Sequence, residues 1–205
     1  MSTIGFLGVP EHTPEAQRLF DDDVDELGFV MNISRLWAYR PEFLAGLFDL
    51  MQGLGRMHGL TLRQRGVLVA ACASAFGDSY CSLAWGCKLA EAADPQTAAG
   101  VLRGDDGGLT PGERALAAWA RKVARDPGRT CAADVQALRD AGWDDAQIFA
   151  ITAFVALRVA FSTVNTALGA RPDAAFRTIA PGAVLDAVTF GRPVEEPPAE
   201  EPPAQ

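Results

Sequence analysis

Cys81 lies four residues past Gly77 in the stretch GDSYCSLAWGCKLA, Gly77 to Ala90, and its sulfur is the atom there best suited to redox chemistry. A thiol attacks as its thiolate, so the groups that control its proton decide what it can do. Asp78 stands three positions earlier and offers a carboxylate that can take or give that proton. With Asp78 as N-cap, Cys81 is the third residue of a helix, where unpaired backbone N–H groups and the helix dipole favour the thiolate. The Asp78 charge opposes it by like-charge repulsion. A helix end contributes about 0.3–1 kcal/mol, which is comparable with one exposed charge at that range, so neither effect dominates.

The other thiols are less suited to partner Cys81. Cys87 is six positions further on, about 240° round a helix, and cannot bridge to Cys81 without unwinding it. Cys72 belongs to the preceding segment and approaches only if a turn at Gly77 folds two helices together, so packing is its expected role. Cys131 is distant and expected to be inert. The four cysteines lack metal-ligand spacing, and His12 and His58 are far from them in sequence. Neither a metal nor a cofactor is expected.

The elements that must position these groups all read as helices. No segment alternates apolar and polar β-branched residues as a strand does, so the expected fold class is all-α. Thr13 followed by Pro14 and Glu15 opens a first helix that runs through the acidic DDDVDE to Gly28. Pro41 starts another, in which Leu44, Leu47, Phe48, Met51 and Leu54 recur at helical spacing. Thr61 and Gln64 form a capping box for a nearly all-apolar helix that Gly77 stops. The Cys81 helix follows, from Asp78 or Ser79 to about Ala93, and Asp94 with Pro95 opens a short one. Thr110, Pro111 and Glu113 cap the next. Thr130 is expected to start a helix through Leu138, and Asp144 with Gln147 a long one to Leu168. Gly59, Leu60, Thr61 and Arg65 match Gly108, Leu109, Thr110 and Arg114 in type and spacing. Either a helical unit is duplicated or two helices simply begin alike.

Composition limits the function classes. The chain of 205 residues is 49% hydrophobic and 21% charged, with a formal charge of -8. That suits one globular domain and argues against nucleic acid, which needs clustered Lys and Arg. The N-terminus shows no basic start with a sustained apolar run, so a cytoplasmic location is expected, with free thiols. The longest apolar run, Ile148 to Leu157, is ten residues and falls short of the roughly 20 needed to cross a bilayer, so no membrane partner is expected. Arg158 interrupts the apolar helix just after it and needs a carboxylate partner, such as Asp78, or an outlet to the surface. The domain is expected to span residues 1–190, and residues 191–205, with five prolines and four glutamates, to form a disordered tail.

The helical unit LTLRQRGVLVAACASAFGDSYCSLAWG resembles the core of the alkylhydroperoxidase D and carboxymuconolactone decarboxylase superfamily, in its peroxidase-related branch. GFVMNISRLWAYRPEFLAGLFDL upstream, and LTPGERALAAWARKVARDP and TALGARPD downstream, resemble the flanking parts, so the similarity covers most of residues 5 to 175. Redox members of the family carry a glutamate twelve residues ahead of a Cys-x-x-Cys and a histidine four beyond its second cysteine. One thiol attacks peroxide, the second closes a disulfide, and the acid and imidazole relay protons. Matched residue by residue, Cys81 is the second cysteine, with Tyr80 and Ala84 also fitting. Gly66 stands for the glutamate, Asp78 for the first cysteine and Trp85 for the histidine.

The resemblance therefore implies an AhpD-like helical bundle and a homo-oligomer, from a dimer up to a trimer of dimers. As chemistry it implies at most a single-cysteine antioxidant peroxide reductase, in which Cys81 passes through a sulfenic acid resolved by an external thiol. Two alternatives stand beside it. One is a degenerate member, with Cys81 as packing, that binds a small apolar ligand or acts as an oligomeric scaffold. The other is lactone or decarboxylase chemistry based on Asp78. Trp85 either fills the former relay site or floors an apolar pocket, and His58 substitutes as a base if its loop covers the site.

Overall fold

The computed structural model describes residues 3–57 and 59–197. Eleven α-helices carry the fold among them: α1 (Pro14–Leu27), α2 (Asn32–Trp37), α3 (Pro41–Met57), α4 (Leu62–Phe76), α5 (Ser79–Ala92), α6 (Pro95–Arg103), α7 (Pro111–Arg125), α8 (Ala132–Asp140), α9 (Asp145–Ala167), α10 (Phe176–Ile179) and α11 (Gly182–Ala187). The one departure from all-α is a two-stranded antiparallel ribbon, β1 (Thr3–Ile4) with β2 (Leu7–Gly8). It is too short to show alternation. Gly5 makes it possible: φ is 59°, and a Cβ there would sit 2.3 Å from the Leu168 carbonyl oxygen. Phe6 N–H donates to that carbonyl at 2.9 Å, fastening the ribbon to the end of α9.

Helix boundaries follow local side-chain chemistry. Thr61 and Thr110 cap α4 and α7 with the same backbone angles, φ -65° and ψ 162°, and each forms a reciprocal capping box, with Gln64 and Glu113. Glu113 is shared: Arg63 donates to it through Nε at 2.6 Å and through Nη2 at 3.3 Å, tying the two helix starts together. The start of α8 differs from expectation. Thr130 closes a 3₁₀ turn by donating to Pro127, and Cys131 becomes the N-cap, with Asp134 reaching back to its N–H at 2.7 Å.

The core is built on α4. It packs against α5, α7, α9 and α6, and its segment Gly66–Ala73 is buried on all sides. Gly77, at φ 83°, reverses the chain so that α5 runs back along α4. Gly66 sets how closely they meet, since a Cβ there would be 3.1 Å from Leu89 Cβ. Helix α9 is long and apolar enough by composition to cross a bilayer, but here it packs against α3, α4 and α7 with Arg158 buried along its length. Of the tail expected from Gly191, residues 191–197 are held against the body, while residues 198–205 lie outside the described residues. Ser79 Oγ donates to the Arg192 carbonyl at 2.7 Å, Glu195 N–H to the Pro172 carbonyl at 2.9 Å, and Arg177 Nε to the Glu195 carbonyl at 2.9 Å. The segment's composition hid this, because its attachment rests largely on backbone carbonyls and on the Arg192 side chain, with Val194 packing against the core.

Candidate active site around Cys81

Asp78 is the N-cap of α5, as its position after Gly77 and before a helical run requires. Its Oδ1 accepts from Cys81 N–H at 3.0 Å, which fixes the carboxylate beside the thiol, and its Oδ2 is buried without a hydrogen-bond partner. Cys81 itself is 2% exposed. Opposite Asp78, Arg158 of α9 donates from Nη2 to Cys81 Sγ at 3.4 Å. The thiol thus lies between a carboxylate and a guanidinium, and the buried Ser162 hydroxyl is near enough to favour its thiolate.

The surroundings of Arg158 are unusual for a charged group. Nη1 meets Met51 Sδ at 4.0 Å, the guanidinium lies over the rings of Trp85 at 5.5 Å and Phe161 at 5.2 Å, and Nε has no partner. Phe161 in turn stacks on Trp37 and meets Phe48 of α3, giving the site an aromatic wall. No ion pair among the described residues includes Arg158, so the expected bridge to Asp78 is not made; neither does the side chain reach the surface. Soft sulfur and π faces take the place of the carboxylate.

Burial pushes the Cys81 thiol far above its ordinary range, and the Asp78 charge adds to this while Arg158 pulls the other way. These effects together favour the protonated thiol at rest. The same two charges act on Cys72, whose thiol burial pushes up to about 12. Cys72 and Cys81 are both free thiols. Cys87 is half-buried, and its thiol is pushed up to about 11, mainly by burial. Cys131 is exposed at the start of α8, remote from the site.

Of the residues singled out from the sequence, Asp78 and Trp85 join Cys81, Trp85 doing so through its face on Arg158. Tyr80 does not. Its hydroxyl donates to Asp173 Oδ2 and its ring stands edge-on to Phe176, in a separate buried cluster. Gly66 faces Leu89, eight residues beyond Cys81 on α5, and serves close packing. His58 lies outside the described residues. Sequence reasoning did not assign a role at the thiol to Arg158 or Ser162. The signal for Arg158 was present, a lone charge in an apolar helix; Ser162 gave none.

Among the described residues, two clefts open to solvent bear on the site's surroundings. One, about 260 Å³, lies at the N-terminal end of α5 and is lined by Gly77, Asp78, Ser79, Thr166, Ala170 and the strap residues Gly191 and Arg192. The strap fits tightly, for a Cβ on Gly191 would stand 2.7 Å from the Gly77 carbonyl oxygen. The larger, about 540 Å³, is a shallow basic depression at the end of α7 and holds no group suited to redox chemistry. Among the described residues there is no cluster of His, Cys, Asp and Glu able to hold a metal ion.

No protein-family model matches the chain. No curated protein matches it either. Solved structures do. A peroxidase-related protein from Ralstonia eutropha JMP134, described as an alkylhydroperoxidase AhpD core, superimposes with a TM-score of 0.75 at 27% identity, over 86% of this chain and 96% of that one. A peroxidase-related protein from Silicibacter sp. TM1040 gives 0.75 at 23% identity over the same shares. The debrominase Bmp8, in a cysteine-to-alanine variant bound to 2,3,4-tribromopyrrole, gives 0.72 at 18% identity, over 91% of this chain and 100% of that one. An α4–α5 hairpin turning at Gly77, with a buried cysteine in the first turn of the second helix, on a frame shared almost end to end with these proteins, places the chain in the AhpD-like superfamily of all-α proteins.

Proposed function

We propose that the protein is a single-cysteine, thiol-dependent oxidoreductase of the peroxidase-related kind, in which Cys81 reduces a small apolar hydroperoxide. The observation that carries this is the Asp78 carboxylate, held beside the thiol by its own cap hydrogen bond with Oδ2 left without a partner. A buried oxygen with no donor is costly, and it is an available acceptor for the thiol proton. The aromatic wall of Trp85, Phe161 and Phe48 suits an organic rather than an inorganic peroxide. Because Cys81 is sealed, turnover requires side chains to move aside, and rates should be modest. The sulfenic acid so formed is resolved by an external thiol, which condenses with it to a mixed disulfide and releases water; a second external thiol frees Cys81. A reducing, cytoplasmic setting fits that requirement. The two-thiol cycle is not expected, since Asp78 stands at the place of the first cysteine.

Bmp8 supports a second substrate class, because a cysteine variant of that debrominase holds a brominated pyrrole on the same fold. A polarised halogen is, like a peroxide oxygen, an electrophile that a lone thiolate can attack. A homo-oligomer is also proposed. Less than half of the apolar window of α9 is buried, Phe149 is 73% exposed, and Ala156 and Ala160 lie on the same open face.

The test is direct. Purified protein is mixed with cumene hydroperoxide, hydrogen peroxide or 2,3,4-tribromopyrrole, with and without a small thiol, and oxidation of each cysteine is followed by mass spectrometry while light scattering gives the assembly mass. Selective oxidation of Cys81 by cumene hydroperoxide, absent in Cys81→Ser, supports the peroxidase. Thiol-dependent loss of bromine with slow peroxide consumption moves the activity to dehalogenation. Indifference of all four thiols leaves a ligand-binding or scaffold role, and a purely monomeric mass removes the oligomer.

A further inference from the structure

Burying a guanidinium is unfavourable unless an anion accompanies it. Arginine cannot shed its proton to escape that cost. Among the described residues Arg158 is the arginine buried outright. The half-buried ones find oxygens or stay partly in solvent: Arg121 donates to Asp106 at 2.7 and 2.8 Å, Arg63 to Glu113 at 2.6 Å, and Arg192 to the Thr166 carbonyl at 3.0 Å. Arg158 is 6% exposed, and its side-chain contacts are two sulfurs and two aromatic faces. Of these, one atom can become an anion within hydrogen-bond reach, and it is Cys81 Sγ.

We propose that Arg158 is a catalytic residue whose guanidinium carries the Cys81 thiolate, with Asp78 as proton acceptor, in place of a glutamate and histidine relay. The proposal rests on Cys81 being the nucleophile. The thiol proton passes to Asp78 Oδ2, and the thiolate forms against Arg158 Nη2. Sulfur then attacks the terminal oxygen of the hydroperoxide. An S–O bond forms, the O–O bond breaks, and sulfur, now a sulfenic acid, has lost the two electrons that reduce the peroxide. The departing alkoxide takes the proton back from Asp78 and leaves as an alcohol. Arg158 Nε, which lacks a partner, is the donor that remains for that oxygen.

The rate of Cys81 alkylation by iodoacetamide at fixed pH values between about 7 and 9, read by mass spectrometry, tests this without any peroxide. Because burial holds the thiol above that window, the rate there is proportional to the thiolate fraction. In Arg158→Met it should fall about tenfold or more at every pH, as expected when an opposite charge leaves a titrating group. Arg158→Lys should recover part of the loss. Asp78→Asn, which keeps an N-cap side chain, should raise the rate. A structural role for Arg158 would alter stability in urea but not the rate in folded protein. If Arg158→Met does not fold, the opposed rate changes of Arg158→Lys and Asp78→Asn carry the test. Rates unchanged in both, or a wild-type Cys81 that is not alkylated at any of these pH values, overturn the proposal. Rate changes as expected with no oxidation by hydroperoxide leave Arg158 as the activating group and remove the peroxidase assignment alone.

Discussion

Tyr80 and Cys81 are neighbours in the first turn of α5, equally buried, and they face two polar clusters that differ in one respect. Around Tyr80 every donor and acceptor is used. Its hydroxyl donates to Asp173 Oδ2, Asp173 Oδ1 accepts from Asn32 N–H at 2.9 Å, and burial raises both the Tyr80 phenol and the Asp173 carboxyl above their ordinary values. That closed set ties α5 to the start of α2 and to the segment before α10. Around Cys81 the set is open, since Asp78 Oδ2 and Arg158 Nε have no partners. Closed polar networks in a core specify structure, whereas open ones carry a cost that a protein retains where it needs the loose ends. One turn of helix here holds both.

Breaking the closed cluster should give the largest effect. Asp173→Ala orphans the Tyr80 hydroxyl and the Asn32 N–H together, each costing about 1–3 kcal/mol, so urea unfolding should show a loss of about 2–6 kcal/mol. Alkylation of Cys81 in the folded variant should be unchanged; a large change would mean that the two clusters are one.

Raising the pH separates them in a second way. A group whose native pKa is raised contributes stability that is complete below its unfolded pKa and is lost as pH climbs through the native one. Unfolded thiols titrate near 8.5 and unfolded tyrosine near 10. Cys72 is held up to about 12, Cys87 to about 11 and Cys81 higher, so stability should begin to fall above pH ~8.5, by up to about 1.4 kcal/mol per pH unit for each thiol. A steeper fall should follow above pH ~10 as unfolded Tyr80 ionises. Urea titrations at fixed pH values read both stages, with Cys81→Ser shallowing the first and Tyr80→Phe the second. The smallest effect is expected from Ser162→Ala, which removes a buried hydroxyl that favours the Cys81 thiolate: about 1 kcal/mol or less in stability, with slightly slower Cys81 alkylation at a given pH.

Most helices were legible because their ends are written in short-range chemistry. Thr61 with Gln64, Thr110 with Glu113, Asp144 with Gln147, and glycines at positions 28 and 77 act within four residues of where they stand. The failures share the opposite property. The ribbon at Thr3–Gly8 exists because Gly5 fits against Leu168, far along the chain. Residues 191–197 are held by carbonyls whose partners are Arg171, Arg177 and Ser79. The candidate site divides along the same line: Asp78 beside Cys81 is a local fact of an N-cap, while the position of Tyr80 depends on Asp173, 93 residues away.

The order of residues alone determined that the chain is helical, where its helices start, and that a single sulfur enters a helix beside one acid. These follow from backbone hydrogen bonds closed within a turn or two. Only the packing of α9 across the α4–α5 hairpin decided what lies on the other side of that sulfur. A charge buried in a core takes whatever partner the fold delivers to it, and for Arg158 that partner is Cys81, 77 residues distant, rather than a carboxylate.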